Sequence, residues 1–111
     1  MRRIWSVLLC LAVLVLPVRA ADTEKYVALT FDDGPSGELT ERLLDGLAAR
    51  GVKATFFVCG YRVTQYPQAL RDIAARGHEI GLHSSNHDYM QKMCYAEVRD
   101  DLTACQKTVS D

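Results

Sequence analysis

The sequence reads as an α/β domain built on a parallel sheet. Three β-prone runs begin at Tyr26, Ala54 and Glu79, about 25–28 residues apart. Each interval holds one amphipathic segment of helical period. Crossovers of that length make neighbouring strands parallel, so the order is βαβαβ. A further helical stripe, Cys94, Val98, Leu102, Cys105 and Val109, follows the third run and makes the pattern βαβαβα.

Each element has local support. Tyr26 to Phe31 is almost continuously apolar, which suits a strand buried on both faces of a parallel sheet. Gly34-Pro35 stops it. Ser36 is placed to cap the next helix, with Glu38 in its first turn. Leu39, Leu43, Leu44 and Leu47 form its inward stripe; Arg50 falls in the last turn and Gly51 ends it. The second strand is Ala54 to Val58, broken by Gly60. Pro67 opens the second helix, Leu70, Ile73 and Ala74 face inward, and Gly77 terminates it. Glu79 to Leu82 is the third strand and delivers His83.

Residues 1–20 carry the pattern of a secretory signal peptide. Met1-Arg2-Arg3 is basic, Ile4 to Val18 is apolar, and Val18-Arg19-Ala20 is a small-residue cleavage site. The apolar run is about 15 residues, short of the roughly 20 that span a bilayer. Leu9 before Cys10 does not suit a lipoprotein signal. Cleavage is expected after Ala20, giving a secreted or cell-envelope protein with a short leader, residues 21–25, before a domain over 26–111.

Loss of Arg2, Arg3 and Arg19 takes the 13 basic residues to about 10 against 14 acidic ones. That mild acidity, with no basic run, argues against a nucleic-acid partner. Cys59, Cys94 and Cys105 remain, an odd number for an exported chain. On one helix Cys94 and Cys105 would lie about 16 Å apart, beyond disulfide reach. Pairing of Cys59 with either stays open, and no Cys-x-x-Cys is present. Core filling is the expected role of most of the cysteines, and Met90 and Met93 are expected to fill gaps in the core or in a loop. Tyr61, Tyr66 and Tyr89 are expected to pack rather than stack on a sugar, and His78 to be structural.

The chemistry lies where the first and third strands end. Asp32 and Asp33 follow one, and His83 and His87 the other. An isolated Asp-Gly-Pro is ordinarily a polar turn, and two histidines four apart are ordinarily incidental. In a parallel α/β fold, however, the carboxyl ends of the strands build the site, so all four residues share one rim. Two imidazoles and a carboxylate can bind a zinc-like ion and leave positions open for water. A second carboxylate, off the metal, can take a proton.

Thr30-Phe31-Asp32-Asp33-Gly34-Pro35 and His83-Ser84-x-x-His87 resemble the first two motifs of the NodB-like polysaccharide deacetylases, carbohydrate esterase family 4. The resemblance implies that residues 26–111 form the first half of a distorted (β/α) barrel. It implies that Asp33, His83 and His87 bind a divalent metal, zinc or alternatively cobalt, and that Asp32 is the general base. The implied reaction is hydrolysis of N- or O-acetyl groups on a polysaccharide such as chitin oligomers, peptidoglycan or xylan, with cell-wall contact and release of acetate. The family's later motifs, which supply the general-acid histidine, have no counterpart in these 111 residues. The domain is therefore expected to be partial. The alternative from another class is a non-catalytic metal- or glycan-binding remnant, or an inactive fragment.

Overall fold

The computed structural model describes residues 24–111. The expected signal peptide lies outside them. Among the described residues no helix is long and apolar enough to cross a membrane. The elements are β1 (Thr30–Gly34), α1 (Gly37–Ala48), β2 (Thr55–Val58), α2 (Gly60–Gln65), α3 (Pro67–Ala75), β3 (Glu79–Leu82) and α4 (Tyr95–Ser110). A 3₁₀ turn, Met90–Lys92, precedes α4. The three strands pair in parallel in the order β1-β2-β3, as the spacing predicts.

The core lies between the sheet and its crossover helices. Phe56 and Val58 of β2 point into it. They meet Leu44 and Leu47 of α1, Val63 of α2, and Leu70 and Ile73 of α3. Leu44, Ile73 and Val58 are fully buried. Such a side chain is worth about 1.5–3 kcal/mol over leaving it in water.

Several boundaries differ from the expectation, each for a local reason. β1 begins at Thr30, not Tyr26. Tyr26 and Val27 are 83% and 86% exposed, because β2 is short and its first paired residue, Thr55, meets Thr30. The apolar run thus outruns its partner and is not buried on both faces. At its other end β1 continues through both aspartates to Gly34. Ser36 occupies the N-cap of α1, but its hydroxyl bonds no backbone N–H of the helix. Its own N–H donates to Thr40 Oγ1 at 2.8 Å. Thr40 takes the buried position and Leu39 turns outward, 67% exposed, so the inward face is 40, 43, 44 and 47. Arg50 lies past the end of α1, yet its guanidinium donates to Gly46 O at 2.8 Å and satisfies a free terminal carbonyl.

Ala74 is exposed, leaving Leu70 and Ile73 as the buried residues of α3. Gly51 and Gly77 have φ of 63° and 75°, the left-handed turn that ends a helix where glycine costs least. Cys94 is an exposed N-cap rather than part of the buried stripe of α4. Its N–H donates to Glu97 Oε2 at 2.7 Å in a capping box. Cys59 and Cys105 are buried, and all three thiols are free. Tyr66 packs over Gly37, whereas Tyr89 is 70% exposed, with Lys92 Nζ 5.2 Å from its ring centroid.

His78 is structural. It is buried at the start of β3, edge-on to Phe56, and its Nδ1 accepts the Ala54 N–H at 3.2 Å. Burial first, then the positive charges of Lys53 and Arg76, holds the imidazole below its ordinary 6.5. The unfolded chain therefore takes up this proton more readily. His78 contributes stability that is present above about pH 6.5 and lost as pH falls through the folded value. Denaturant midpoints measured from pH 7.5 down to 5 should fall further for the parent chain than for His78→Gln. Parallel curves would show that this imidazole is not linked to folding.

Candidate metal centre

The site begins with an irregularity in β1. Thr30 pairs with Thr55 and Phe31 with Phe56, but the next pair is Gly34 with Val58. Asp32 and Asp33 together stand opposite Phe57 alone. That extra residue is a β-bulge, which bends the strand and re-aims its side chains. Asp33 takes φ 64°, in the left-handed region, and the strand then leaves through a cis Gly34–Pro35 bond. The alternation that would send adjacent side chains to opposite faces is broken at the carboxylates.

The histidines come from the other edge of the sheet. His83 follows β3, and its N–H still donates to Val58 O at 2.9 Å. β1 and β3 flank β2, so they lie about 9–10 Å apart, twice the strand spacing. The side chains close that gap over the end of β2. His83 Nε2 is 3.1 Å and His87 Nε2 3.0 Å from the same oxygen, Asp33 Oδ1. The imidazole centroids are 5.2 Å apart. All three donor atoms lie within 4.8 Å of one another.

Those three donors fit a divalent ion. Ligands 2.0–2.2 Å from a tetrahedral zinc sit roughly 3.3 Å from each other, close to the two nitrogen–oxygen distances here. Two nitrogens and one oxygen are also a donor set that zinc and cobalt accept. All three side chains are at least one-third exposed, so a fourth position faces solvent. Beside them Leu82, His83, His87, Tyr89, Met90 and Leu102 line an open groove of about 360 Å³.

The turn carrying the histidines is held in an unusual conformation. Ser84 and His87 have φ of 73° and 61°. Non-glycine residues there cost of order 1–3 kcal/mol each, so the surroundings must enforce them. Beneath the turn, burial first and the negative charge of Asp33 next push the Cys59 thiol up to about 11. It stays protonated at neutral pH and donates to His83 O at 3.3 Å. Cys59 therefore supports the turn, and its sulfur is not among the three clustered donors.

Among the four residues singled out from the sequence, the structure brings Asp33, His83 and His87 together. Asp32 sits at the same strand end, exposed and outside the trio. Two supports were not anticipated. One is α2, whose Gly60 and Tyr61 N–H groups donate to Ser84 O at 3.0 Å and Ser85 O at 2.8 Å. The other is Asp101, whose carboxylate accepts the Ser85 N–H. A signal for the second was present: Asp101 falls at helical spacing from Val98 and Cys105, a charge on an otherwise apolar face.

Comparison with known proteins places the sequence and the fold in a family. The polysaccharide deacetylase family model matches residues 19–111. A peptidoglycan-N-acetylglucosamine deacetylase of Listeria monocytogenes is 43% identical over 100 residues, covering 90% of this chain and 22% of that protein. A chitooligosaccharide deacetylase of a Bradyrhizobium strain is 39% identical over 85 residues, 77% of this chain and 39% of that one. Among solved structures, a peptidoglycan deacetylase from Bacillus subtilis superposes with a TM-score of 0.74 at 36% identity, covering 81% of this chain and 45% of that one. A family 4 acetyl xylan esterase from Clostridium thermocellum, in complex with a cobalt ion, gives a TM-score of 0.72 at 42% identity, covering 77% of this chain and 42% of that one. The chain thus spans less than half the length of these relatives. In sequence and in fold, this chain belongs to the polysaccharide deacetylase family.

Proposed function

We propose that the chain serves in metal-dependent removal of acetyl groups from an exported or cell-wall polysaccharide, with release of acetate. The convergence of Asp33, His83 and His87 on one point, beside a free carboxylate, carries this reading. The relatives are named for peptidoglycan and chitooligosaccharide, which favours an N-acetylated sugar polymer as substrate. Asp33, His83 and His87 would hold the ion, zinc by preference. A divalent ion there supplies a Lewis acid for the acetyl carbonyl and brings water near neutral acidity. Asp32, whose carboxylate is not among the three clustered donors, takes the proton from the attacking water. The groove under Tyr89 and Met90 leaves room for a sugar beside the histidines.

A second reading is a metal- or glycan-binding protein without turnover. One observation bears on it: among the described residues, two histidines are in the trio and the third, His78, is buried at the opposite end of β3, away from the site. Acetate release from an acetylated chitooligosaccharide, with added zinc and with a chelator, separates the readings. Zinc-dependent release supports the hydrolase. Stoichiometric zinc binding without release supports the binding protein.

A further inference from the structure

We infer that Asp101, on α4, is a positioning residue that sets the metal affinity of the His83–His87 turn; this rests on the metal-binding reading above. The turn is bolted on two sides. From α2, Gly60 and Tyr61 donate to the carbonyls of Ser84 and Ser85. From α4, both oxygens of Asp101 accept the Ser85 N–H at 3.1 Å, and the Ser84 hydroxyl donates to Asp101 Oδ1 at 3.3 Å. The Ser85 hydroxyl donates to Asp101 O at 2.8 Å.

The carboxylate also fixes a polarity. An ionised Asp only accepts, so the single proton of the Ser84 hydroxyl is turned towards it. The lone pairs of that hydroxyl then face the other way, and they accept Asn86 N–H at 3.3 Å and His87 N–H at 3.0 Å. His87 thus receives its left-handed backbone, and with it the aim of its imidazole, through Ser84 from Asp101. Ser84 is buried, so water does not readily replace the lost partner. Tightness of space adds to the constraint: a Cβ on Gly60 would lie 3.2 Å from Ser85 Cα.

Zinc affinity by competition with a chromophoric chelator, with thermal melting of the same samples, tests the inference on the full chain. Asp101→Ala should weaken zinc binding roughly 10- to 100-fold, the range for partners that orient metal ligands. Asp101→Asn keeps one acceptor and should lose less than about tenfold. Ile73→Val, a core change far from the turn, should lower the melting temperature and leave zinc affinity unmoved. If Asp101→Ala does not melt cooperatively, Ser84→Gly takes its place. Glycine adopts the left-handed backbone without strain, the change removes the side chain with its hydroxyl, and it should weaken zinc in the same range. Zinc binding within twofold of the parent in the folded variant overturns the inference while leaving the metal site standing. A parent chain that takes up no zinc overturns the metal reading, and this inference with it.

Discussion

His83→Ala is expected to fold and to lose its zinc. The imidazole is outside the hydrophobic core, beside His87 and Asp33. The anchor of residue 83 to the sheet is its backbone N–H to Val58 O, which alanine retains. What disappears is one of three donors aimed at a single point, leaving Asp33 and His87, 3.0 Å apart, as a two-point site. The loss should exceed the roughly 10- to 100-fold that supporting partners are worth. Equilibrium dialysis against buffered zinc reads the affinity, and melting of the chelated protein reads the fold. A variant with parental melting and zinc affinity within tenfold of the parent would remove His83 from the ligand set.

Asp32→Asn is expected to separate the two carboxylates by the opposite result. Asp32 is not among the three clustered donors and is exposed, so zinc affinity should stay within about twofold of the parent. The amide cannot accept a proton from water, and a positioned general base contributes typically 10²–10⁴-fold. Acetate release should therefore fall by two to four orders of magnitude with the metal still in place. Loss of zinc equal to that of His83→Ala would falsify the assignment and exchange the roles of Asp32 and Asp33.

The parts of the fold legible in the sequence were those set by local chemistry. β3 runs over Glu79–Leu82 as expected, because Gly77 ends the preceding helix and His83 starts a polar turn. Pro67 marks the start of α3 because its fixed φ and missing N–H suit a first helical position. The illegible parts were those set by a partner strand or helix. Nothing in Tyr26 to Leu29 reveals that β2 is too short to pair with it. Helix α2 starts on glycine and includes β-branched Val63 and Thr64, a poor local prospect. Its first turn is held by Ser84 and Ser85, over twenty residues on. That a carboxylate of the Asp32–Asp33 pair shares a rim with His83 and His87 could be anticipated from strand ends; the choice of Asp33 over Asp32 rests on the family resemblance. The bulge that aims Asp33 could not be anticipated, because register belongs to two strands and a single sequence shows one at a time.

The bulge also makes chain length a determinant of chemistry. Between Phe31 and Gly34, β1 spends one more residue than β2. Removing that residue would let the ladder close in regular register, with the core contacts of Phe31 and Phe56 intact. The remaining carboxylate would then follow the ordinary alternation of a strand, and its direction would no longer be set by the left-handed turn at Asp33. A codon lost here would spare the architecture and disarm the centre.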